Sequence, residues 1–436
     1  MRQPLATRRP LLAAILLVSL SGCRQERLAP PEPSPAPAPS PAVSFAAVRK
    51  EPGPSPRDEA PRPLRVLVAG DVIAHRPILA RPGALGRALE KLGPLFQGAD
   101  AVVVNHESAT GVAPASNELA YAAPETWSTE LRAARVTAIT LANNHACDLG
   151  PSGLNATLTL ARTAGLSWVG AAAGEGAEGD PWRARVLAQG GGHKVCGVGW
   201  TTHMNGNPRL CAGKIAYIPD LHAAELRARK SIQMARTEGC DAVIAMVHAG
   251  QEYAAQGRGE IAIAERLAEA GADAVLMHHP HIPSPLQITT TKDGRAVPLF
   301  TSVGNLVTNQ GYAWRSVMPV VVPDRRAVSV NAWTRLGVVA DLVFDWPAGA
   351  SRPDLRYGYH LIWNARPRGE GQGQETPEIQ ARLIDSKADA ELIANFGRDK
   401  LGPNVLFESP CWLQGKEPCS GPQTKASKRV ARSPKR

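Results

Sequence analysis

Ala274-Val275-Leu276-Met277-His278-His279-Pro280-His281 is a short apolar run that stops in three imidazoles within four residues. Such an unbroken run has no polar face, so it reads as a strand covered on both sides. The stretch Ile261–Ala270, of helical composition, precedes it; before that come the apolar run Asp241–Val247 and the long helical stretch Leu221–Glu238. The alternation continues towards the N-terminus. Arg65–Ala69, Asp100–Val104, Val136–Leu141 and Val195–Trp200 read as strands, with Ala84–Leu92, Leu131–Arg135 and Leu154–Ala164 as helices among them. Val297–Ser302 closes the series. This rhythm predicts an α/β fold. Past Arg315 the runs Val320–Val322, Ala327–Val330 and Gly337–Phe344 read as hairpin strands without helices.

Polar residues gather where these strands end. The first runs into Gly70-Asp71, the second into Asn105-His106-Glu107 and the third into Asn143-Asn144-His145. Val247 is followed by His248, with Glu252 just beyond, and the last run leads to Gly304-Asn305. Ligands of α/β sheets bind beyond the carboxyl ends of the strands. Singly, each feature has an ordinary explanation: Asp71 as a turn residue or cap, Asn143-Asn144 as left-handed loop residues, His248 as a core histidine. A rim that collects carboxylates, amides and imidazoles from six strand ends is explained at once by a metal site. The donors are oxygen and imidazole nitrogen, and no Cys-x-x-Cys spacing occurs, which suits Mn, Fe or Zn and argues against a purely structural zinc. They exceed what one ion needs, so two divalent ions sharing a carboxylate are expected, a pair that brings the pKa of a bound water towards neutrality.

Taken in order, Gly70-Asp71, Asn105-His106-Glu107, Asn143 through Asp148 to Gly150, His248 to Glu252, His279-Pro280-His281 and Gly304-Asn305 resemble the CapA branch of the calcineurin-like metallophosphoesterases, the poly-γ-glutamate capsule family. Tyr121-Ala122-Ala123-Pro124 is similar to the segment that precedes a helix in that family, and the likeness runs from about Leu64 to Asn309. The resemblance implies a four-layer α-β-β-α sandwich with the metals at the sheet rim. Asp71, Glu107 and His281 would hold one ion, Glu107 would bridge, and Asn144, His248 and His279 would complete the second. His145 would be the general acid over the leaving-group oxygen rather than a ligand. Asn105, Asn143, Asp148, Glu252, His278 and Asn305 are expected around the ligands or the substrate. The superfamily's Asp-x-His is absent at the first strand, where Val72 and Ile73 follow Asp71 and His75 is the nearest imidazole. Glu107 stands where the superfamily usually has Asp, and the CapA branch shares both departures. The implied activity is hydrolysis of a phosphoester outside the cytoplasm, in making, exporting or anchoring poly-γ-glutamate. The alternative is a metal-dependent component that binds an anionic polymer without cleaving it.

The rest of the chain bears on location. Residues 1–23 read as an export signal, with Arg2, Arg8 and Arg9 before an apolar core, Leu11 to Leu20, too short to span a bilayer. Leu20-Ser21-Gly22-Cys23 resembles a lipobox, which implies lipidation at Cys23 and a membrane anchor, with Arg24 favouring the outer membrane. The other reading is an ordinary cleavable signal. Residues 24–63 are crowded with Pro and Ala and read as a stiff spacer. The main domain is expected at 64–365, and 366–436 as an extension with a basic tail. That tail carries six of the +10 net charges, which leaves about +4 for all other residues and argues against sequence-specific nucleic-acid binding. Of six cysteines besides Cys23, Cys411 and Cys419 are the pair favoured by proximity. Cys147 and Cys240, beside strands, are read as buried thiols.

Overall fold

A computed structural model describes residues 62–396, apart from 77, 113–119, 175, 321–324, 367–377 and 385–387. The expected signal with Cys23, the spacer up to residue 61, the Cys411–Cys419 pair and the basic tail lie outside the described residues. The first part of the chain forms β1 (Leu64–Val72), β2 (Ala101–His106), β3 (Ala109–Thr110), β4 (Ala122–Ala123), β5 (Ala138–Thr140) and β6 (Ser167–Val169). Among them lie α1 (Ala84–Leu89), α2 (Gly93–Gln97), α3 (Trp127–Ala133) and α4 (Gly150–Thr163). The middle part forms β7 (Arg185–Gly190), β8 (His193–Thr201), α5 (Leu221–Thr237), β9 (Ala242–His248), α6 (Arg258–Glu269), β10 (Ala274–His278), β11 (Leu286–Thr290) and β12 (Ala296–Phe300). The last part adds β13 (Asn305–Val307), β14 (Leu336–Asp345), β15 (Asp354–Ala365), β16 (Gln380–Leu383) and α7 (Ala390–Phe396).

One sheet runs β16-β15-β14-β1-β2-β5-β6, with β13 also paired to β1, and the other runs β11-β12-β10-β9-β8-β7. The strand β1 shows why apolar runs without alternation were needed. Its Leu67 and Ala69 share a core with Leu85 of α1, Trp127 of α3 and Leu154 of α4. The intervening Val66 and Val68 share another with Ala242, Ile244, Met246 and Leu276 of the opposite sheet. On the far side, Val243, Ala245 and Val275 pack with Ala224, Ala228 and Ile232 of α5 and with Ile263 and Leu267 of α6. The spacing of four between those helix residues places them on one face of each helix. The layers are therefore α-β-β-α, as the resemblance implied.

Parallel pairing of β1, β2, β5 and β6, and of β8, β9, β10 and β12, sends the carboxyl ends of these strands one way within each sheet. Chain closure at the rim depends on glycine. Asn305 pairs with Asp71 as β13 enters beside β1, and a Cβ at Gly70 would overlap the Gly304 carbonyl. Gly304 itself sits at φ 62°, a left-handed conformation that favours glycine. The Gly in Gly-Asp and the Gly in Gly-Asn thus make room for each other.

Several expectations are corrected. Ala327–Val330 lies in short 3-10 turns (Arg325–Val330) rather than a hairpin strand, Gly337–Phe344 does become a strand, and most of the run Val320–Val322 lies outside the described residues. Asn305 does not continue β12; the chain crosses to the other sheet before it. Packing also continues past residue 365: β16 pairs with β15, and Phe396 of α7 lies edge-on to Trp333 and Trp363 at 4.7 and 5.9 Å. Cys147 and Cys240 are not thiols. Cys147 is bonded to Cys211 and Cys196 to Cys240, with Cα atoms 6.2 and 5.9 Å apart. Each partner lies on a different strand or loop, 64 and 44 residues away, so a place beside a buried strand did not mark these cysteines as thiols.

Candidate metal centre

The rim brings Asp71, Glu107, Asn144, His248, His279 and His281 together in a buried cluster. Asp71 is the last residue but one of β1, Glu107 follows β2, Asn144 follows β5 and His248 ends β9, while His279 and His281 lie just past β10. Asp71 accepts from the Asn105 amide at 2.7 Å through one oxygen and faces His281 Nδ1 at 3.0 Å with the other. His248 Nε2 lies 2.8 Å from Asn144 Oδ1 and 3.1 Å from His279 Nδ1. Potential ligand atoms fall into two groups, Asp71–Glu107–His248 and Glu107–His279–His281, each with all its atoms within 4.8 Å of one another. These groups mix the two expected ligand sets, and Glu107 is common to both.

Glu107 is the most informative side chain. It is 0% exposed, and neither carboxylate oxygen has a hydrogen-bond partner. Burial, followed by the charges of Asp71 and Glu252, pushes its carboxyl well above the usual range. A buried acceptor without a partner costs about 1–3 kcal/mol, more when charged, so a native fold keeps one for a reason. Burial holds His248 well below its ordinary value and His279 down to about 2, so both keep lone pairs free to bind a cation. Burial alone would raise Asp71 and depress His281, but their mutual hydrogen bond and attraction win, leaving Asp71 low and His281 high. Two carboxylates, an amide oxygen and three imidazoles form a donor set that fits divalent transition metals.

Backbone strain falls in the same place. His279 and His281 adopt φ 95° and φ 58°, in the left-handed region that non-glycine residues avoid, and Tyr253 does the same at 59°. These turns aim the last two imidazoles of the triplet at the cluster. His278, on the strand, instead donates to the Ala69 carbonyl at 3.2 Å and ties β10 to β1. The amides act as struts. Asn143 donates to Asn105 Oδ1 and to the His106 carbonyl, both at 3.0 Å, while Asn305 Oδ1 lies 3.1 Å from His281 Nδ1. Glu252, half-buried, acts on Glu107 and His281 through its charge.

His145 sits at the edge of the cluster. Its Nδ1 bonds Asp148 at 2.6 Å, and the Tyr121 ring stacks on it at 4.0 Å. Tyr121 N in turn donates to the same Asp148 oxygen at 2.8 Å. His75 does not join either ligand group: its Nδ1 accepts from Asn309 N at 3.2 Å, and burial pulls it down to about 3. Two neighbours were missed by sequence reasoning. His203 stacks on His279 at 4.2 Å, and Asn205 lies 3.2 Å from His145 Nε2. Both belong to Thr201-Thr202-His203-Met204-Asn205, directly after β8, so the strand-end rule applied elsewhere would have found them.

The disulfide Cys147–Cys211 joins the His145 loop to this second loop, and Asn205 N also donates to the Asn144 carbonyl at 2.9 Å. Replacing both cysteines with serine should raise amide exchange about tenfold in residues 143–148 and 203–211 and cost about 2–4 kcal/mol of stability. Unchanged exchange would show that the backbone bond suffices to hold the two loops.

Comparison with known proteins places this geometry. The family model described as "Bacterial capsule synthesis protein PGA_cap" matches residues 65–310. The "Capsule biosynthesis protein CapA" of Bacillus anthracis is 27% identical over 186 residues, 42% of this chain and 42% of that protein. The "PGA biosynthesis protein CapA" of Bacillus subtilis (strain 168) is 29% identical over 182 residues, 40% and 43% of the two chains. The chain thus spans less than half the length of the curated relatives it matches. Among solved structures, the calcineurin-like phosphoesterase YfkN from Bacillus subtilis aligns with a TM-score of 0.39 at 16% identity, over 78% of this chain and 98% of that one.

Proposed function

Because this chain belongs to the bacterial capsule synthesis family PGA_cap, we propose that it is an exported, lipid-anchored envelope protein that hydrolyses a phosphoester with two divalent transition-metal ions (Mn, Fe or Zn). Its setting is the making, export or anchoring of poly-γ-glutamate. The observation that carries the reading is Glu107, a buried carboxylate without a hydrogen bond, shared by both groups of potential ligands. The disulfides Cys147–Cys211 and Cys196–Cys240 support export, since such bonds persist in oxidising compartments. Among the described residues no helix is long and apolar enough to cross a membrane, and the lipobox-like Leu20-Ser21-Gly22-Cys23 supports an anchor of another kind.

In this reading Asp71, Glu107, Asn144, His248, His279 and His281 would hold the two ions between them, with Glu107 in both groups of ligand atoms. When bound, the ions would supply a nucleophilic water at neutral pH and positive charge for the phosphoryl oxygens. The amides of Asn105 and Asn305 steady Asp71 and His281, which keeps donors in place before any ion arrives. Asp148 engages His145 Nδ1, so Nε2 is the nitrogen that delivers a proton to the leaving oxygen. Stacking by Tyr121 fixes the plane of that ring. The basic tail draws an anionic polymer or membrane surface to the protein by simple attraction.

The test is release of p-nitrophenol from bis(p-nitrophenyl) phosphate by protein reconstituted with Mn. Activity should vanish with a chelator and return with metal. A metal-loaded protein inert towards a panel of mono- and diesters, yet retaining poly-γ-glutamate only when metal is present, would replace hydrolysis with polymer binding.

A further inference from the structure

A cavity of about 260 Å³ opens beside the metal cluster, with Arg76, Tyr121, Tyr253, Asn309, Gln310 and Tyr312 among its walls. It shares those walls with the cluster. The Tyr121 ring that lines it stacks on His145, and the Tyr253 ring lies 5.8 Å from His281. Gln310 donates to the Tyr253 hydroxyl at 3.1 Å and accepts from Asn305, the amide that bonds His281, at 3.0 Å. Arg366 bonds the carbonyl and the side-chain oxygen of Asn309, so the Asn309 amide nitrogen is left to donate.

The chemistry of the lining narrows what it can hold. Phenol rings present flat apolar faces with a polar rim. Side-chain amides and hydroxyls both donate and accept. A ring that carries several hydroxyls matches both properties, its C–H faces lying on the phenols and its hydroxyls meeting groups of either sense. A run of carboxylates matches poorly: it only accepts, and it calls for several cations where the lining supplies one guanidinium, Arg76. Its volume lies near the roughly 300 Å³ at which small-ligand pockets begin, a size that suits one ring.

We infer that this cavity is a subsite for a sugar ring, and that the ester cleaved at the neighbouring centre is a sugar phosphoester. The inference rests on the phosphoester reading above and adds the organic side of the substrate. Tyr312 is 55% exposed, so its truncation spares the core. The experiment is titration calorimetry of the Mn-loaded full chain with glucose 1-phosphonate, which cannot be hydrolysed, and with methylphosphonate, which lacks the ring. The sugar phosphonate should bind about tenfold tighter, and Tyr312→Ala should erase that gain while leaving methylphosphonate binding as it was. Equal affinities in the unmodified protein, or a gain that survives both Tyr312→Ala and Tyr253→Phe, would overturn the subsite alone. So would a γ-glutamyl oligomer that outcompetes the sugar phosphonate. Failure of both phosphonates to bind the metal-loaded protein would overturn the phosphoester reading and the subsite with it.

Discussion

Glu107→Gln is expected to stabilise the metal-free protein and to remove most of the stability that metal adds. The wild-type carboxylate is buried with neither oxygen hydrogen-bonded, and Asp71 and Glu252 add like charge. A neutral amide of the same shape removes that like charge and brings an N–H donor beside the Asp71 carboxylate, a gain of about 1 kcal/mol. Metal reverses the comparison. At a free concentration 100 times its dissociation constant, an ion that binds only the folded state adds about 2.7 kcal/mol. The variant lacks the carboxylate common to both ligand groups and should gain little of this. Denaturant unfolding of the two proteins, each with chelator and with Mn, reads all four stabilities. A variant less stable than wild type under chelator, and equally raised by Mn, would show that Glu107 is an ordinary structural residue.

His145→Ala is expected to lower phosphodiester turnover by about 10²–10⁴-fold, the usual worth of a positioned proton donor, with metal content unchanged. The separation of the two readouts follows from the geometry. His145 bonds Asp148 and touches Tyr121 and Asn205, and it belongs to neither ligand group. Full turnover in the variant would remove His145 from the chemistry. Loss of metal together with turnover would make it a support for the cluster instead.

How much of this was legible in the sequence depends on how local each signal is. The buried strands were readable because runs such as Asp241–Val247 lack a polar face, and their ends were readable because Asp71, Glu107 and His248 follow directly in the chain. What the triplet 278–281 does was only half legible. Its imidazoles marked a binding rim, and only the family resemblance singled out His279 and His281, because their inward turn depends on a left-handed backbone that composition does not carry. The disulfides were misread for a related reason. Cys147 and Cys211 meet because two loops at the same rim are folded together, and nothing near either cysteine announces the other. β16 was passed over because four residues are too few to show a period, although they complete the edge of a sheet. His203 and Asn205 are a different case: the rule that found the other strand ends covers them, and it was not applied after β8.

Whether the rim holds two ions is decided by the metal content of the purified protein. The protein would be reconstituted in turn with Mn, Fe and Zn and analysed beside His279→Ala. About two ions per chain are expected in the wild type, the count of a site with a shared carboxylate, and clearly fewer in the variant. No bound metal in the wild type with any of the three would contradict a two-ion rim.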